Sequence, residues 1–77
     1  MIHLLAFDYG ASSGRAILGK FDGEKLALQE IHRFPNEPVM IGDHLYWDIL
    51  RLYHEMKQGI LKCSLSASKD IASIGID

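Results

Sequence analysis

The stretch that decides the fold is residues 2–21, which read IHLLAFDYGASSGRAILGKF. It opens with a nearly continuous apolar run, Ile2 to Phe7, and such a run predicts a strand buried on both faces in the middle of a sheet. The segment from Asp8 to Gly14 is rich in turn-forming residues, and Arg15 to Phe21 predicts a second strand. A carboxylate therefore ends a buried strand, and a tight turn leads into the neighbouring strand.

Two further features extend the predicted sheet. Asp22-Gly23 is typical of a type I′ hairpin turn, which needs positive φ at both central residues, and Lys25 to Phe34 predicts a third strand. The even-numbered residues of this strand are mostly apolar, Glu30 excepted, so one of its faces is expected to be covered. Pro35 to Pro38 predicts a loop, because proline cannot donate to a sheet ladder.

Beyond the loop the apolar period lengthens from two to between three and four residues. Val39 to Tyr46 is ambiguous, with Gly42-Asp43 as a candidate turn for a small hairpin. Asp48 is the predicted N-cap of a helix with one apolar stripe. The stripe comprises Ile49, Tyr53, Met56, Ile60 and Cys63. Gly59 within the helix costs about 1 kcal/mol relative to Ala and predicts a bend or a close approach.

The last part of the chain predicts the end of the helix and one more strand. The helix is expected to end within Ser64 to Asp70, and Ile71 to Ile76 predicts a strand. A helical crossover permits this strand to pair in parallel with another strand of the sheet. The predicted order is β-β-β-α-β, an α/β arrangement. Because no further element covers the sheet, the sequence is expected to be the N-terminal piece of a larger protein.

Composition and charge narrow the function classes. The chain has 77 residues, enough for one small domain, and 48% of them are hydrophobic. Eight Lys and Arg against ten Asp and Glu give a net charge of −2, so there is no basic excess for a nucleic-acid backbone. The single cysteine, Cys63, suits a reducing compartment. No apolar run approaches the roughly 20 residues of a membrane helix, and residues 1–8 do not resemble a signal peptide, so a cytoplasmic protein is expected.

The turn between the first two strands carries the most informative chemistry. Successive backbone N–H groups in such a turn can converge on an anion, and glycines at 10 and 14 let the backbone approach a phosphate closely. The hydroxyls of Ser12 and Ser13 add donors. Asp8 would repel phosphate unless a divalent cation lies between them, which implies Mg²⁺ held directly or through water. The alternative is a plain hairpin turn in which Asp8 bonds the turn amides.

Segments along the whole chain resemble one family. The pattern Asp8-x-Gly10-Ala11-Ser12-Ser13-x-Arg15 resembles the phosphate motif Asp-x-Gly-Thr-Thr/Ser-Ser-x-Arg of the FGGY carbohydrate kinases, in the actin-like, ribonuclease-H-like superfamily. Residues 30–34 (EIHRF), 44–48 (HLYWD) and 73–77 (SIGID) resemble further segments of these kinases. Ala11 stands where Thr is usual in the family, and this variant resembles the kinases that act on L-rhamnulose.

The resemblance implies a ribonuclease-H-like fold and phosphoryl transfer from ATP to the 1-hydroxyl of L-rhamnulose, giving L-rhamnulose 1-phosphate. Asp8 would hold Mg²⁺, and Asp77, at the end of the neighbouring strand, is a candidate for contacting the sugar. The residues that would hold the ATP phosphates are Gly10, Ala11, Ser12, Ser13, Gly14 and Arg15.

The resemblance also implies which parts of the enzyme lie outside this segment and which molecules it binds. The catalytic base, the rest of the first domain and the second domain would lie outside residues 1–77, so this segment alone is expected to be inactive. The implied partners are the sugar and ATP, with neither nucleic acid nor membrane among them, and a monomer is compatible with the sequence.

Other interpretations stay open. Another kinase of the same family, such as a fuculokinase, or a non-catalytic actin-like module that binds ATP would use the same turn. A ribonuclease-H-like nuclease needs three or four carboxylates around two metals, and only Asp8 and Asp77 qualify. Arg15 either touches phosphate or forms an ion pair, and Tyr46-Trp47 either lines the sugar site or packs against the start of the helix. The four histidines are expected to be structural or exposed, and Cys63 to lie in the core.

Overall fold

The computed structural model describes residues 1–66 and 70–77 as six strands and one helix. In chain order the elements are β1 (Ile2–Tyr9), β2 (Ser13–Phe21), β3 (Leu26–Pro35), β4 (Val39–Ile41), β5 (His44–Tyr46), α1 (Ile49–Ser66) and β6 (Ser73–Ile76). Four strands form one sheet in the order β3-β2-β1-β6, and β4 pairs with β5 in a separate hairpin. Because β1 is antiparallel to β2 and parallel to β6, the predicted α/β order and the parallel crossover are confirmed.

Helix α1 lies against one face of the sheet and forms the core with it. The buried core residues are Leu5, Phe7, Ala16, Leu18 and Cys63. Gly59 allows the helix to approach closely, because a Cβ at this position would lie 2.6 Å from Phe7 Cε1 and 3.1 Å from Ala16 Cβ. The close approach predicted at Gly59 is therefore confirmed, and so is the core position of Cys63, where burial raises the pKa of the thiol.

The buried stripe of α1 differs from the predicted one. Ile49 and Tyr53 are 70% and 51% exposed, whereas Leu52 and Glu55 are buried. The packed face is centred on Gly59, and the residues four and seven positions before it are Glu55 and Leu52, which lie on the same side of a helix. A stripe inferred from large apolar residues alone is therefore wrong in the first half of the helix.

The ends of α1 lie close to their predicted positions. The Asp48 carboxylate accepts a hydrogen bond from the Arg51 N–H at 3.1 Å, which confirms the predicted N-cap. The helix extends to Ser66, and residues 67–69 of the predicted terminating segment lie outside the described residues. In the described ranges, no helix is long and apolar enough to cross a membrane.

Strand β1 is buried on one face only. Leu5 and Phe7 point toward α1 and are 2% and 1% exposed, whereas Ile2 points to the other face and is 48% exposed. Leu26 and Leu28 of β3 add exposed apolar surface to the same open face. The prediction of a strand buried on both faces is wrong for the described residues, because α1 covers a single side of the sheet.

A β-bulge at Ile31 changes the orientation of β3 in mid-strand. Two consecutive residues of β2, Ala16 and Ile17, pair with His32 and Glu30 respectively. Ile31 is thus an extra residue, and side chains before and after it alternate out of phase. The predicted continuous even-numbered face is therefore wrong, because even-numbered residues face away from α1 up to Glu30 and toward it from His32 onward.

The turn between β2 and β3 differs in type from the predicted one. Gly23 has a φ of 103°, but no described residue other than glycine has positive φ, so Asp22 does not adopt a type I′ conformation. The Asp22 carboxylate instead accepts hydrogen bonds from the N–H groups of Lys25 and Glu24 at 2.7 and 2.9 Å. These backbone bonds, first that of Lys25 and then that of Glu24, hold the pKa of the Asp22 carboxyl below its ordinary value.

Pro35 is the last residue of β3 and not part of the predicted loop. It lies opposite Ser13, and the nearest ladder bond runs from the Asn36 N–H to Ser12 O at 3.1 Å. The pairing at this position needs no N–H group from Pro35, so the strand tolerates proline. The loop therefore begins one residue later than predicted.

The predicted small hairpin is confirmed at Gly42, which has a φ of 62°. Strands β4 and β5 on either side of it pair in antiparallel fashion. The apolar side chains of the hairpin are 38% to 63% exposed; they are Val39, Met40, Ile41, Leu45 and Tyr46. The hairpin is thus the second exposed apolar surface after the open sheet face.

We expect the 77-residue chain on its own to aggregate or to unfold without a sharp transition. Both exposed apolar surfaces favour association, and an isolated two-stranded hairpin is marginally stable in water. Size-exclusion chromatography with light scattering, followed by calorimetry, measures this. A sharp and reversible thermal transition of a monomer would contradict the expectation.

Candidate functional site

The predicted phosphate-binding turn is a tight hairpin between β1 and β2. Tyr9 pairs with Gly14, and the Gly10 N–H donates to Ser13 O at 3.0 Å. In the described residues, positive φ occurs only at two glycines of other turns, so both glycines of this turn keep ordinary backbone conformations. The turn is shorter than the predicted segment, because both strands extend into the stretch from Asp8 to Gly14.

The tip of this turn exposes hydrogen-bond donors. Ala11 and Ser12 are exposed, and within the described chain no acceptor pairs with their N–H groups. The hydroxyls of Ser12 and Ser13 likewise have no protein partner among the described residues. An anion that reaches the tip would therefore meet donors that the protein does not use itself.

Asn36, which the sequence pattern did not single out, fastens the turn to the end of β3. It is 7% exposed, its Nδ2 donates to Gly10 O at 2.7 Å, and its N–H donates to Ser12 O at 3.1 Å. The available signal in the sequence is its place between two prolines, Pro35 and Pro38, directly after a strand that pairs with the turn. That signal indicates a loop but not the direction of the side chain.

Asp8 and Arg15 form an ion pair across β1 and β2. They are register partners, and Arg15 Nη2 donates to Asp8 Oδ2 at 2.6 Å. The side chains of Asp8 and Arg15 are 49% and 38% exposed, so solvent reaches the pair. Arg15 thus forms the ion pair that was one of its two predicted alternatives. The plain-hairpin interpretation requires Asp8 to accept a hydrogen bond from a turn amide. In the described residues Asp8 accepts no such bond.

Asp77 extends the parallel ladder at the same end of the sheet. Its N–H donates to Phe7 O at 2.9 Å, and its C=O accepts from the Tyr9 N–H at 2.9 Å. A residue that bridges Phe7 and Tyr9 in this way is the ladder neighbour of Asp8. The two carboxylates therefore share one face of the sheet, the face opposite α1, because Phe7 points toward the helix. The predicted adjacency of Asp77 and Asp8 is confirmed.

Gly14 makes room for an aromatic ring on the helix side of the sheet. A Cβ built on Gly14 would lie 2.5 and 2.8 Å from Phe34 Cε1 and Cε2. Phe34 is 4% exposed, and the ring of Tyr9 packs edge-on against it with centroids 5.7 Å apart. Packing therefore requires glycine at this position, whatever the turn binds.

A buried polar cluster joins β3 to α1. His32 Nε2 and Glu55 Oε2 are 2.6 Å apart, and Arg51 Nε donates to Glu55 Oε1 at 2.9 Å. Lys62 Nζ lies 2.8 Å from His32 Nδ1; because an ammonium group only donates, Nδ1 accepts and Nε2 carries the proton toward Glu55. Burial by itself would raise the pKa of Glu55, but the hydrogen bonds from His32 and Arg51, together with the positive charge of Arg51, outweigh it and lower the pKa. His32 is structural, as expected.

Tyr46 and Trp47 lie beside the turn. Together with Ala11, Pro38 and Leu45 they line a hollow of about 310 Å³. The two aromatic residues are 49% and 52% exposed. About half of each aromatic residue is thus uncovered, and the choice between the two predicted alternatives, a sugar site and packing against the start of α1, stays a prediction.

The candidate site offers two carboxylates to a cation, the half-exposed Asp8 and its exposed ladder neighbour Asp77. Asp8 uses Oδ2 to bind Arg15, which leaves Oδ1 without a protein partner in the described residues. The described ranges contain no cluster of three or more His, Cys, Asp or Glu side chains arranged to hold a metal ion. One or two carboxylates fit Mg²⁺ that keeps several waters and takes its other ligands from phosphates, and they do not fit an all-protein metal cage.

Comparisons with curated proteins identify relatives along nearly the whole chain. The chain is 49% identical over 75 residues to a rhamnulokinase of Bacteroides thetaiotaomicron and 44% identical over 73 residues to one of Oceanobacillus iheyensis. It is 43% identical over 77 residues to a rhamnulokinase of Halalkalibacterium halodurans. These matches cover 97%, 95% and 100% of the chain and 15%, 15% and 16% of the relatives.

The motifs predicted a resemblance to kinases that act on L-rhamnulose. The similarity to curated rhamnulokinases confirms this prediction. The chain spans about 15% of the length of the curated relatives that it matches. No protein-family model matches the chain.

Proposed function

We propose that the chain is the N-terminal segment of a rhamnulokinase that transfers the γ-phosphate of ATP to the 1-hydroxyl of L-rhamnulose. The identity of 40% to 49% with curated rhamnulokinases supports this enzyme class. The observation that carries the role of this segment is the tip of the β1–β2 turn. There the exposed N–H groups of Ala11 and Ser12 have no acceptor in the described chain.

In this proposal the turn binds the phosphates of ATP. The N–H groups of Ala11 and Ser12 and the hydroxyls of Ser12 and Ser13 donate to phosphate oxygens, and Arg15 adds positive charge. Gly10 and Gly14 form the two sides of the same hairpin. In phosphoryl transfer the protein takes little part in covalent chemistry. Positioning of the substrates and stabilisation of charge therefore provide most of the rate acceleration.

Asp8 has a separate role at the start of the turn. Its carboxylate lies beside the phosphate donors, and alone it would repel ATP. The accessible Oδ1 atom would hold Mg²⁺, either directly or through water. The bound Mg²⁺ would neutralise part of the phosphate charge. Arg15, at 2.6 Å from Oδ2, keeps the carboxylate in a fixed position.

The remaining parts of the proposed site lie around this segment. Asp77 contacts the sugar, because its place beside Asp8 is at the carboxyl end of a parallel strand pair, where ligands of such sheets bind. The catalytic base, the adenine pocket and a second domain lie outside residues 1–77, and the segment is part of a ribonuclease-H-like first domain of the FGGY type. Because ATP is the cosubstrate, the proposal places the reaction in the cytoplasm.

Incubation of the full-length protein with ATP and a panel of ketoses tests the proposed reaction. We expect ADP to form in the presence of L-rhamnulose, with a lower kcat/KM for L-fuculose and D-xylulose. A higher kcat/KM for L-fuculose would instead assign a fuculokinase. Absence of ADP formation with every ketose would contradict the kinase proposal.

Replacement of both turn serines, Ser12→Ala with Ser13→Ala, is expected to raise the KM for ATP by about 10-fold to 100-fold. A lost charge-assisted hydrogen bond costs about 1.5–3 kcal/mol, and about 1.4 kcal/mol is tenfold in affinity. The KM for the sugar should stay unchanged. Ser64→Ala is the matched control, because the Ser64 hydroxyl donates to Leu61 O within α1 at 2.8 Å. A double variant with wild-type kcat/KM for ATP would contradict the role of the serines.

A further inference from the structure

Asn36 makes two hydrogen bonds to the tip of the β1–β2 turn from a buried position. Its Nδ2 donates to Gly10 O at 2.7 Å, and its backbone N–H donates to Ser12 O at 3.1 Å. The acceptor fixes the orientation of the side-chain amide, because a carbonyl oxygen can only accept and Asn36 must therefore present its NH₂ group. The residue is 7% exposed, so little water competes for these bonds.

The two bonds determine which way the turn donors point. In a trans peptide the C=O and N–H groups point in opposite directions, and no described peptide bond is cis. With Gly10 C=O directed at Asn36, the N–H of the next residue, Ala11, points away from Asn36. With Ser12 C=O directed at Asn36, the N–H of Ser13 points away from it as well. Two donors thus face the same side of the turn.

The turn depends on few other contacts to hold this shape. The bond from the Gly10 N–H to Ser13 O at 3.0 Å closes the hairpin, but it leaves the Gly10–Ala11 and Ser12–Ser13 peptides free to rotate. Ala11 and Ser12 are exposed, and an open hollow separates Ala11 from the side chains of Tyr46 and Trp47. Asn36 therefore fixes the orientation of these two peptide groups, which the exposed turn does not fix by itself.

We infer that Asn36 is a positioning residue for the phosphates of the nucleotide, an inference that rests on the proposed function of the turn. It holds the Ala11 N–H group, one of the two backbone donors of the proposed phosphate site, toward the phosphates before the nucleotide arrives, and it keeps the Ser13 N–H group on the same side, so binding does not have to order them. Asn36 itself touches no phosphate, because it lies on the opposite side of the turn. Its removal weakens the affinity for the triphosphate and leaves the affinity for the sugar unchanged.

The test uses Asn36→Ala and Asn36→Asp in the full-length protein. Asn36→Ala removes the side-chain bond and keeps the backbone bond to Ser12 O. Asn36→Asp keeps the size of the side chain but places an acceptor against Gly10 O. Leu18→Val is the control for a general loss of stability, because Leu18 is buried in the core and pairs with Leu5, farther along the sheet from the turn than the Tyr9–Gly14 pair.

Isothermal calorimetry with Mg²⁺ and a non-hydrolysable ATP analogue, with adenosine and with L-rhamnulose separates the outcomes. Both Asn36 variants should raise the Kd of the ATP analogue by about tenfold, the effect of one lost hydrogen bond. The Kd values for adenosine and for L-rhamnulose should stay within about twofold of wild type, as should all three values of Leu18→Val.

Three results would overturn the inference. In the first, wild type binds the ATP analogue, and a folded Asn36→Ala or Asn36→Asp protein binds it with the same Kd. This result would overturn the inference about Asn36 but not the proposed function. The second is failure of both Asn36 variants to fold, which would assign Asn36 a purely structural role. The third is a wild-type protein that binds no nucleotide, which would overturn the proposed function together with the inference.

Discussion

Asp8→Asn is expected to lower the kcat of the full-length protein by about a thousandfold and to raise its requirement for Mg²⁺. Two charges about 4 Å apart interact by roughly 4 kcal/mol at an effective dielectric constant near 20, and that energy corresponds to about three orders of magnitude in rate. The substitution keeps the shape of Asp8 but removes its charge. Attraction to the cation is therefore lost, whereas the turn stays in place.

The same variant is expected to fold almost normally. The Asp8 and Arg15 side chains are 49% and 38% exposed, and ion pairs with this exposure contribute about 0–1 kcal/mol to stability. The carbonyl oxygen of Asn can still accept the hydrogen bond from Arg15. A melting temperature close to that of wild type, together with the lost turnover, would separate chemistry from folding.

Glu30→Gln provides the matched control for Asp8→Asn. Glu30 is also an exposed carboxylate on the face of the sheet opposite α1, and it pairs with Arg33 at 2.6 and 3.0 Å. Its loss should change neither kcat nor the response to Mg²⁺. An Asp8→Asn protein that is folded, fully active and unchanged in its Mg²⁺ dependence would refute the role of Asp8.

Gly14→Ala is expected to destabilise the full-length protein by about 1–3 kcal/mol, the usual cost of overpacking a core. The new methyl group would collide with the ring of Phe34, whose Cε1 and Cε2 atoms lie 2.5 and 2.8 Å from the Cβ position. Neither the ring, which is 4% exposed, nor the paired strands can move away without disturbing their neighbours. Thermal and urea unfolding measure the loss.

A double-mutant cycle with Phe34→Leu identifies the cause. If the ring is the obstacle, Gly14→Ala in the Phe34→Leu background should cost less than in wild type, by about 1 kcal/mol or more. If Gly14 serves only a close approach of phosphate, the variant should instead weaken ATP binding with little loss of stability. Additive costs in the cycle would contradict the packing explanation.

Local signals explain why much of the fold could be predicted. The helix cap at Asp48, the hairpin at Gly42 and the close approach at Gly59 each depend on residues adjacent in sequence and on their intrinsic backbone or capping preferences. The helical crossover permitted a parallel pairing of β6, and the resemblance to the kinases implied that β1 is its partner. These predictions needed no knowledge of tertiary packing.

Tertiary packing explains the predictions that were wrong. The face of β3 changes at Ile31, because a bulge inserts one residue, and nothing in the local sequence marks the insertion. The packed face of α1 is centred on Gly59, so a buried charged residue, Glu55, replaces Tyr53 in the predicted stripe. Glu55 is buried because His32 on β3 and Arg51 on its own helix satisfy it, and the distant partner His32 is not visible in a local pattern.

The positions of the candidate-site residues in the fold were predictable, but the residue that supports the turn was not. The acid, the serines and the arginine of the turn stand in a recognisable order, and Asp77 follows from the parallel pairing of its strand. Asn36 is 26 residues from Gly10 in the chain, and only the pairing of β3 with β2 brings the two together. A residue that supports a turn from another strand cannot be recognised from spacing.

The distance between the turn and the nucleotide phosphates is the most direct test of a phosphate-binding turn in this chain. It can be measured in a crystal structure of the full-length protein with Mg²⁺ and a non-hydrolysable ATP analogue. We predict phosphate oxygens within about 3.2 Å of the backbone nitrogens of Ala11 and Ser12. Phosphates bound elsewhere, with both N–H groups left facing solvent, would contradict the proposed role of the turn.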